Sequence, residues 1–379
     1  MPIAHGLMRH LAPLLTILAV LHATASSAPH TGNSSAAVRP LTVQEQRSGE
    51  TFVRARLELS AYYDLRLGER QRRIELPIGR AESIGLELER FNVAAADAKF
   101  VIGTAGGDVA TERPDVVAFR GSVNGDPSSH AYFAISAAGM ASGYIRTSDG
   151  RSYFISQAPQ EAAKGFGGEI IIQEAQSGFD LPDGVEFCGV VPPADFVPTV
   201  PQHKVRAMAG GKWLAYVAID SDQEYYNIFG SVAAAQGYVL LVLGAVSDIY
   251  QRDFDTKLLV KYVRIWPTGG EPFEADNIGG FRFHWETSED PSPYNYVHLF
   301  SGRRDLSYGG VAYVGGTCSG LATYGISGFL NGSFPSPVVG PNISNWDVIV
   351  VAHEMGHNSG TFHTHDGYTP TIDDCGNGV

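Results

Sequence analysis

Apolar and polar residues alternate along the first half of the chain in short runs at 52–59, 74–77, 116–120, 131–135, 141–145 and 152–155. A period of two predicts strands with one face buried. Turn formers separate most of the runs, among them Asn124-Gly125-Asp126-Pro127 and Ser148-Asp149-Gly150. The stretch 51–187 therefore reads as an all-β domain. Pro192, Pro193, Pro198 and Pro201 follow, a composition that favours extended backbone and marks a linker at 191–206. Beyond it the pattern changes to a strand at 213–219, a long apolar helix at 231–250 and a strand at 257–266. That order predicts a right-handed βαβ unit. A further strand framed by glycines is expected at 309–315, and no internal repeat is visible.

Near the C-terminus, Ser344-Asn345-Trp346-Asp347 has the form of a helix start. Trp346, Ile349, Val350, His353 and His357 then fall on one stripe at helical spacing. Residues 348–352 are apolar nearly all round, which predicts a helix buried in the centre of its domain.

Composition narrows the class. With 379 residues, 44% of them hydrophobic, the chain can build two packed domains. A net charge of -13 without a long basic run argues against a nucleic-acid partner, whose phosphates select for Lys and Arg. Arg9 and His10 precede an apolar run at 11–21 and small residues at 23–28, which reads as a secretory signal peptide at 1–28. Secretion is thus expected. No stable membrane span is, because the run is short and no other approaches about 18 continuous apolar residues.

The chemistry concentrates in His353-Glu354-Met355-Gly356-His357-Asn358-Ser359-Gly360-Thr361-Phe362-His363. His353 and His357, four apart on a helix, share a face and can direct ring nitrogens at one ion. Gly360 allows the positive φ that turns the chain, and His363 returns as third ligand. Three protein ligands leave a fourth position open on a zinc ion, the mark of a catalytic site. Glu354 projects beside that face, where a general base for an activated water belongs. The five fixed positions would match by chance about once in 10⁴ such chains.

These residues resemble the metzincin metallopeptidases, and within them the adamalysin or reprolysin branch. The likeness extends to His298-Leu299-Phe300-Ser301-Gly302, to the 310–315 strand, and to 119–130, which is similar to that branch's propeptide domain. The resemblance implies an α+β chain: signal peptide 1–28, β-rich propeptide domain 29–190, linker 191–206 and an α/β catalytic domain 207–379 with a mixed twisted sheet. It implies a secreted zinc endopeptidase with one catalytic Zn²⁺, protein or peptide substrates, and an edge strand at 311–314 that pairs with substrate. Phe187-Cys188-Gly189-Val190 resembles the inhibitory propeptide segment, so Cys188 is expected to block the zinc as a thiolate. The propeptide would then act as an intramolecular partner, with Lys204 and Arg206 as conceivable processing points.

Other features are less decisive. Cys318 and Cys375 could bridge each other, although the resemblance points to partners nearer the C-terminus. His365 is read as a surface residue or as a neighbour behind the ligands, because the spacing after Gly360 selects His363. No methionine follows His363, although the family places a methionine turn there, so the sequence is expected to be a piece of a longer protein. The alternative is a catalytically inactive zinc-binding or interaction module. Asn33, Asn331 and Asn342 begin N-x-S triplets that decide nothing.

Overall fold

The computed structural model describes residues 37–44, 52–79, 81–175, 186–191, 213–317, 323–334 and 346–363. Several expectations lie outside them: the signal peptide, nearly all of the 191–206 linker with Lys204 and Arg206, Cys318, Cys375, His365, and the Ser344-Asn345 helix start. The Asn33 and Asn342 triplets lie outside as well.

Among the described residues the first sheet is antiparallel and nine-stranded, in the order β1-β2-β11-β10-β9-β8-β7-β4-β3. Its strands are β1 Leu41–Val43, β2 Phe52–Leu57, β3 Gln71–Pro77, β4 Ser83–Phe91, β7 Val116–Val123, β8 His130–Ser136, β9 Ala141–Arg146, β10 Ser152–Ser156 and β11 Ile170–Glu174. The alternating runs of the sequence supply six of these strands, β2, β3 and β7 to β10, whereas β1, β4 and β11 arise outside them. One was read too long: β2 ends at Leu57, and α1 takes Leu59–Leu67. Ala61, Tyr62 and Leu65 are buried there at helical spacing, which a period of two cannot satisfy.

β8 is apolar on both faces because both are covered. Ala131, Phe133 and Ile135 enter the core of the first sheet, whereas Tyr132 and Ala134 join the core of the second. A short helix α2, Pro159–Ala162, precedes β11.

Among the described residues the second sheet is mixed and eight-stranded, in the order β12-β16-β17-β15-β13-β14-β5-β6. Five of its strands come from the second half: β13 Trp213–Ser221, β14 Thr256–Ile265, β15 Tyr296–Phe300, β16 Tyr308–Tyr313 and β17 Thr323–Ser327. Three come from the first half, β5 Ala94–Ile102, β6 Val109–Ala110 and β12 Glu186–Val191. The two halves thus share one sheet, and Ala36–Val379 clusters as one compact unit.

β13 and β14 pair in parallel, with Trp213 opposite Thr256, and the crossover between them carries α3, Gln223–Phe229, and α4, Val232–Asp253. Asp222 caps α3 by accepting from the Tyr225 N–H at 2.7 Å, and Ser231 caps α4 by accepting from Ala234. By length and composition α4 could cross a bilayer, but 78% of its apolar window is buried inside the protein. It is a core helix sandwiched between the two sheets. Tyr132 of β8 donates to the Leu241 carbonyl at 2.8 Å, and the buried Asp248 carboxylate takes Tyr144 and His130 as partners.

Below the sheet, α5 spans Ile278–Ser288. A buried ionic knot holds it. Asp220 accepts from Arg264 at 2.6 Å and from the indole N–H groups of Trp266 and Trp285 at 3.0 and 3.1 Å. Arg264 also reaches Asp108, from the loop before β6, at 3.4 Å. The last described helix, α6, is Trp346–Asn358.

Candidate metal centre

α6 packs against α4, β16 and β17, and each end is anchored. At its start, the Trp346 indole donates to the Gly328 carbonyl at 3.0 Å. The wholly buried Asp347 carboxylate accepts from the Asn331 and Gly332 N–H groups and the Tyr238 hydroxyl, each at 2.9 Å. Burial pushes its pKa up to about 6. At the other end, the Asn358 carboxamide donates to the carbonyls of Tyr313 and Tyr324 at 2.9 and 2.8 Å. The apolar stripe needs one correction: Ile349 is 37% exposed, whereas Val350, Val351 and Met355 are wholly buried. At 3.6 residues per turn, 349 drifts off the face that 346, 350 and 357 share.

Three imidazoles converge at the C-terminal end of α6. His357 Nε2 lies 3.0 Å from His353 Nε2, which lies 3.2 Å from His363 Nε2. The turn that brings His363 back passes through Gly360 at φ 99°. It also fixes a tautomer: His357 Nδ1–H donates to the Thr361 carbonyl at 2.8 Å, leaving the Nε2 lone pair directed into the site.

Cys188 of β12 completes the cluster, with Sγ 3.4 Å from His357 Nε2, and the four donor atoms lie within 4.8 Å of one another. The donor set fits zinc. A tetrahedral ion at about 2.0–2.1 Å from each nitrogen would space them about 3.3 Å apart.

Glu354 lies beside these donors and is wholly buried. Its Oε2 is 3.7 Å from Cys188 Sγ, and Oε1 has no hydrogen-bond partner among the described residues. Burial holds its pKa well above the ordinary carboxylate range, offset in part by the Cys188 thiol. Its neighbour is the backbone of β16: a β-carbon on Gly310 would come within 2.4 Å of Oε1.

The strand expected at the sheet edge is covered. β12 pairs in parallel with β16, placing Cys188 opposite Gly310 and Gly189 opposite Val311. β16 itself ends at Tyr313, one residue short of the expected segment.

All five sequence-selected residues, Cys188, His353, Glu354, His357 and His363, therefore lie together. Sequence reasoning missed Gly310, Thr361 and Asn358. Gly310 carried a signal as one of a glycine pair inside a strand, which marks close approach of another group. Thr361 acts through its backbone, and Asn358 through tertiary partners that no spacing reveals.

Residues 211–378 match the model of Metallo-peptidase family M12, of the reprolysin type. The match spans somewhat less than half of the chain and supports a metallopeptidase, a hydrolase acting on protein substrates. No curated protein sequence is significantly similar to the chain. Among solved structures, metalloproteinase-II from Bacteroides fragilis overlaps 79% of this chain and 83% of its own, at 12% identity and a TM-score of 0.36. A chaperone-substrate complex overlaps 78% of this chain and 62% of its own, at 12% identity and a TM-score of 0.29. Scores this low carry no argument about fold or chemistry.

Proposed function

We propose that this chain is the latent form of a secreted zinc-dependent endopeptidase of the adamalysin or reprolysin branch. His353, His357 and His363 hold the metal, Glu354 is the general base, and Cys188 is the blocking thiolate. The observation that carries this reading is the convergence of three imidazoles and a thiol beside a buried carboxylate. Zinc bound there would supply Lewis acidity to a scissile carbonyl and to an attacking water.

The chain's own residues handle the proton. Glu354 takes it from the water as the oxygen bonds to the carbonyl carbon, then returns it to the nitrogen as the carbon–nitrogen bond breaks. A buried carboxylate with raised proton affinity suits that exchange. Gly310, having no side chain, leaves room for the carboxylate. β16 is the rail on which an extended substrate would pair through backbone hydrogen bonds. β12 occupies that rail with Cys188 facing the histidines, so latency is both steric and chemical. The apolar run near the N-terminus directs export.

Glu354→Gln tests the reading. The variant should keep one zinc per chain and lose peptide hydrolysis after activation; near-normal turnover would remove Glu354 from the role of base.

A further inference from the structure

The segment that returns His363 to the site leaves α6 at Ser359 and folds back on its own helix. The Ser359 N–H donates to the Met355 and Gly356 carbonyls at 3.0 and 2.9 Å, Gly360 N–H to the His357 carbonyl at 2.8 Å, and Thr361 N–H to the Gly356 carbonyl at 3.2 Å. Gly356 makes the reversal fit, since a β-carbon there would come 3.2 Å from Thr361 Oγ1. These bonds tie the turn to α6, not to the sheet.

Tyr296 reaches the turn from the sheet. Its hydroxyl lies 2.9 Å from Ser359 Oγ, and Ser359 Oγ donates to the Met355 carbonyl at 2.9 Å. A serine hydroxyl has one proton, and a carbonyl oxygen can only accept. The Ser359 proton goes to Met355, so Ser359 Oγ accepts from the Tyr296 O–H. The bonds thus run in one direction, from phenol to serine to helix carbonyl. The Tyr250 hydroxyl of α4 anchors the same helix one turn earlier, donating at 3.0 Å to the Ala352 carbonyl on the peptide that leads into His353.

A serine bonded to the carbonyl four residues back is a common local habit of helices. The tyrosine turns it into a tertiary link. Tyr296 is buried on β15, opposite Val217 of β13 on one side and Thr323 of β17 on the other, so the far end of the link sits on a strand paired along both edges. Ser359 is exposed and directly precedes Gly360, whose φ of 99° sets the direction of the returning segment. Holding Ser359 against β15 therefore holds the start of the arm that carries His363.

We propose that Tyr296 and Ser359 are positioning residues for His363: the phenol, acting through the serine hydroxyl, keeps the turn in place in the metal-free chain, so that metal binding need not order it. This rests on His363 being a metal ligand and extends that reading to what holds the third imidazole ready.

The test uses the full chain, first without metal and then in chelator competition for zinc. In the metal-free chain, Tyr296→Phe should speed amide hydrogen exchange at Gly360 and Thr361 by about three- to tenfold, the worth of one hydrogen bond, while Val350 and Val351 exchange as in wild type. Tyr296→Phe and Ser359→Ala should each weaken zinc by about the same factor. The double variant should lose no more than Ser359→Ala, because the two hydroxyls act in one chain. Ser359→Thr, which keeps the hydroxyl, should bind zinc as wild type does. Unchanged exchange at Gly360 and Thr361, undiminished affinity in the folded variants, or losses that simply add would each overturn the proposal. If Ser359→Ala fails to fold, the isosteric Tyr296→Phe decides. A wild-type chain that binds no zinc sinks the metal reading, whereas a turn indifferent to Tyr296→Phe sinks this one, so the two failures are separate.

Discussion

The Oε1 oxygen of Glu354 lies where a side chain on Gly310 would begin, 2.4 Å from an ideal β-carbon. The carboxylate and the strand that would carry substrate are thus fitted directly to each other. Gly310→Ala should push Glu354 out of register while leaving the histidines in place. Loss of a positioned base costs about 10²–10⁴-fold in turnover. Steady-state kinetics on the activated protein, with zinc content measured in parallel, should show a fall in this range at unchanged zinc. Wild-type turnover would mean that the carboxylate has room the structure does not give it.

Cys188 offers a second test, because Sγ is 3.4 Å from His357 Nε2. Cys188→Ser keeps the size of the side chain and removes the thiolate, which binds zinc far more strongly than a hydroxyl. The uncut variant should hydrolyse peptides faster than the uncut wild type by at least about tenfold, equivalent to about 1.4 kcal/mol of lost blocking. Equal latency in both would place the inhibition in β12 pairing alone.

The sharing of one sheet by both halves predicts the fate of a cut chain. β5 lies between β14 and β6, and Tyr132, Tyr144 and His130 grip α4 from the first sheet. A protease site introduced within 192–206 and then cut should yield two fragments that co-elute on size exclusion without denaturant. Separate elution would show that these contacts do not hold the halves together.

Acid stability should carry the signature of His298. Its folded pKa, about 3, is below the ordinary 6.5, so its contribution is fully present above pH 6.5 and is lost as pH falls toward 3. The full loss is on the order of a few kcal/mol. Asp222 and Asp347, both raised to about 6, act in the opposite sense, their contributions being lost as pH rises from 3.8 to 6. The comparison with His298→Gln isolates the histidine. In urea unfolding, the wild-type advantage over the variant should shrink steadily between pH 6.5 and 4.5. An advantage independent of pH would mean that the ring is not buried neutral.

The site was legible because its chemistry is local: His353, Glu354 and His357 are placed by helical periodicity, and His363 by one glycine turn. Strands β7 to β10 were legible for the same reason, since alternation and turn residues both lie within a few positions. What stayed hidden depends on partners distant in sequence. The 94–102 stretch does not announce that it will extend a sheet five of whose strands begin more than a hundred residues later. Nor does Gly310 reveal by itself that a carboxylate from α6 will press against it. The run at 52–59 was misread where two periods meet, because Leu57 closes a strand and Ala61, Tyr62 and Leu65 already follow a helix.

The central claim is that the three imidazoles hold a metal ion. Zinc content measured by mass spectrometry on the purified chain, beside His357→Ala, tests it most directly. One zinc per chain in the wild type, lost in the variant, is the expected result. A folded wild-type chain with no stoichiometric zinc would contradict the account.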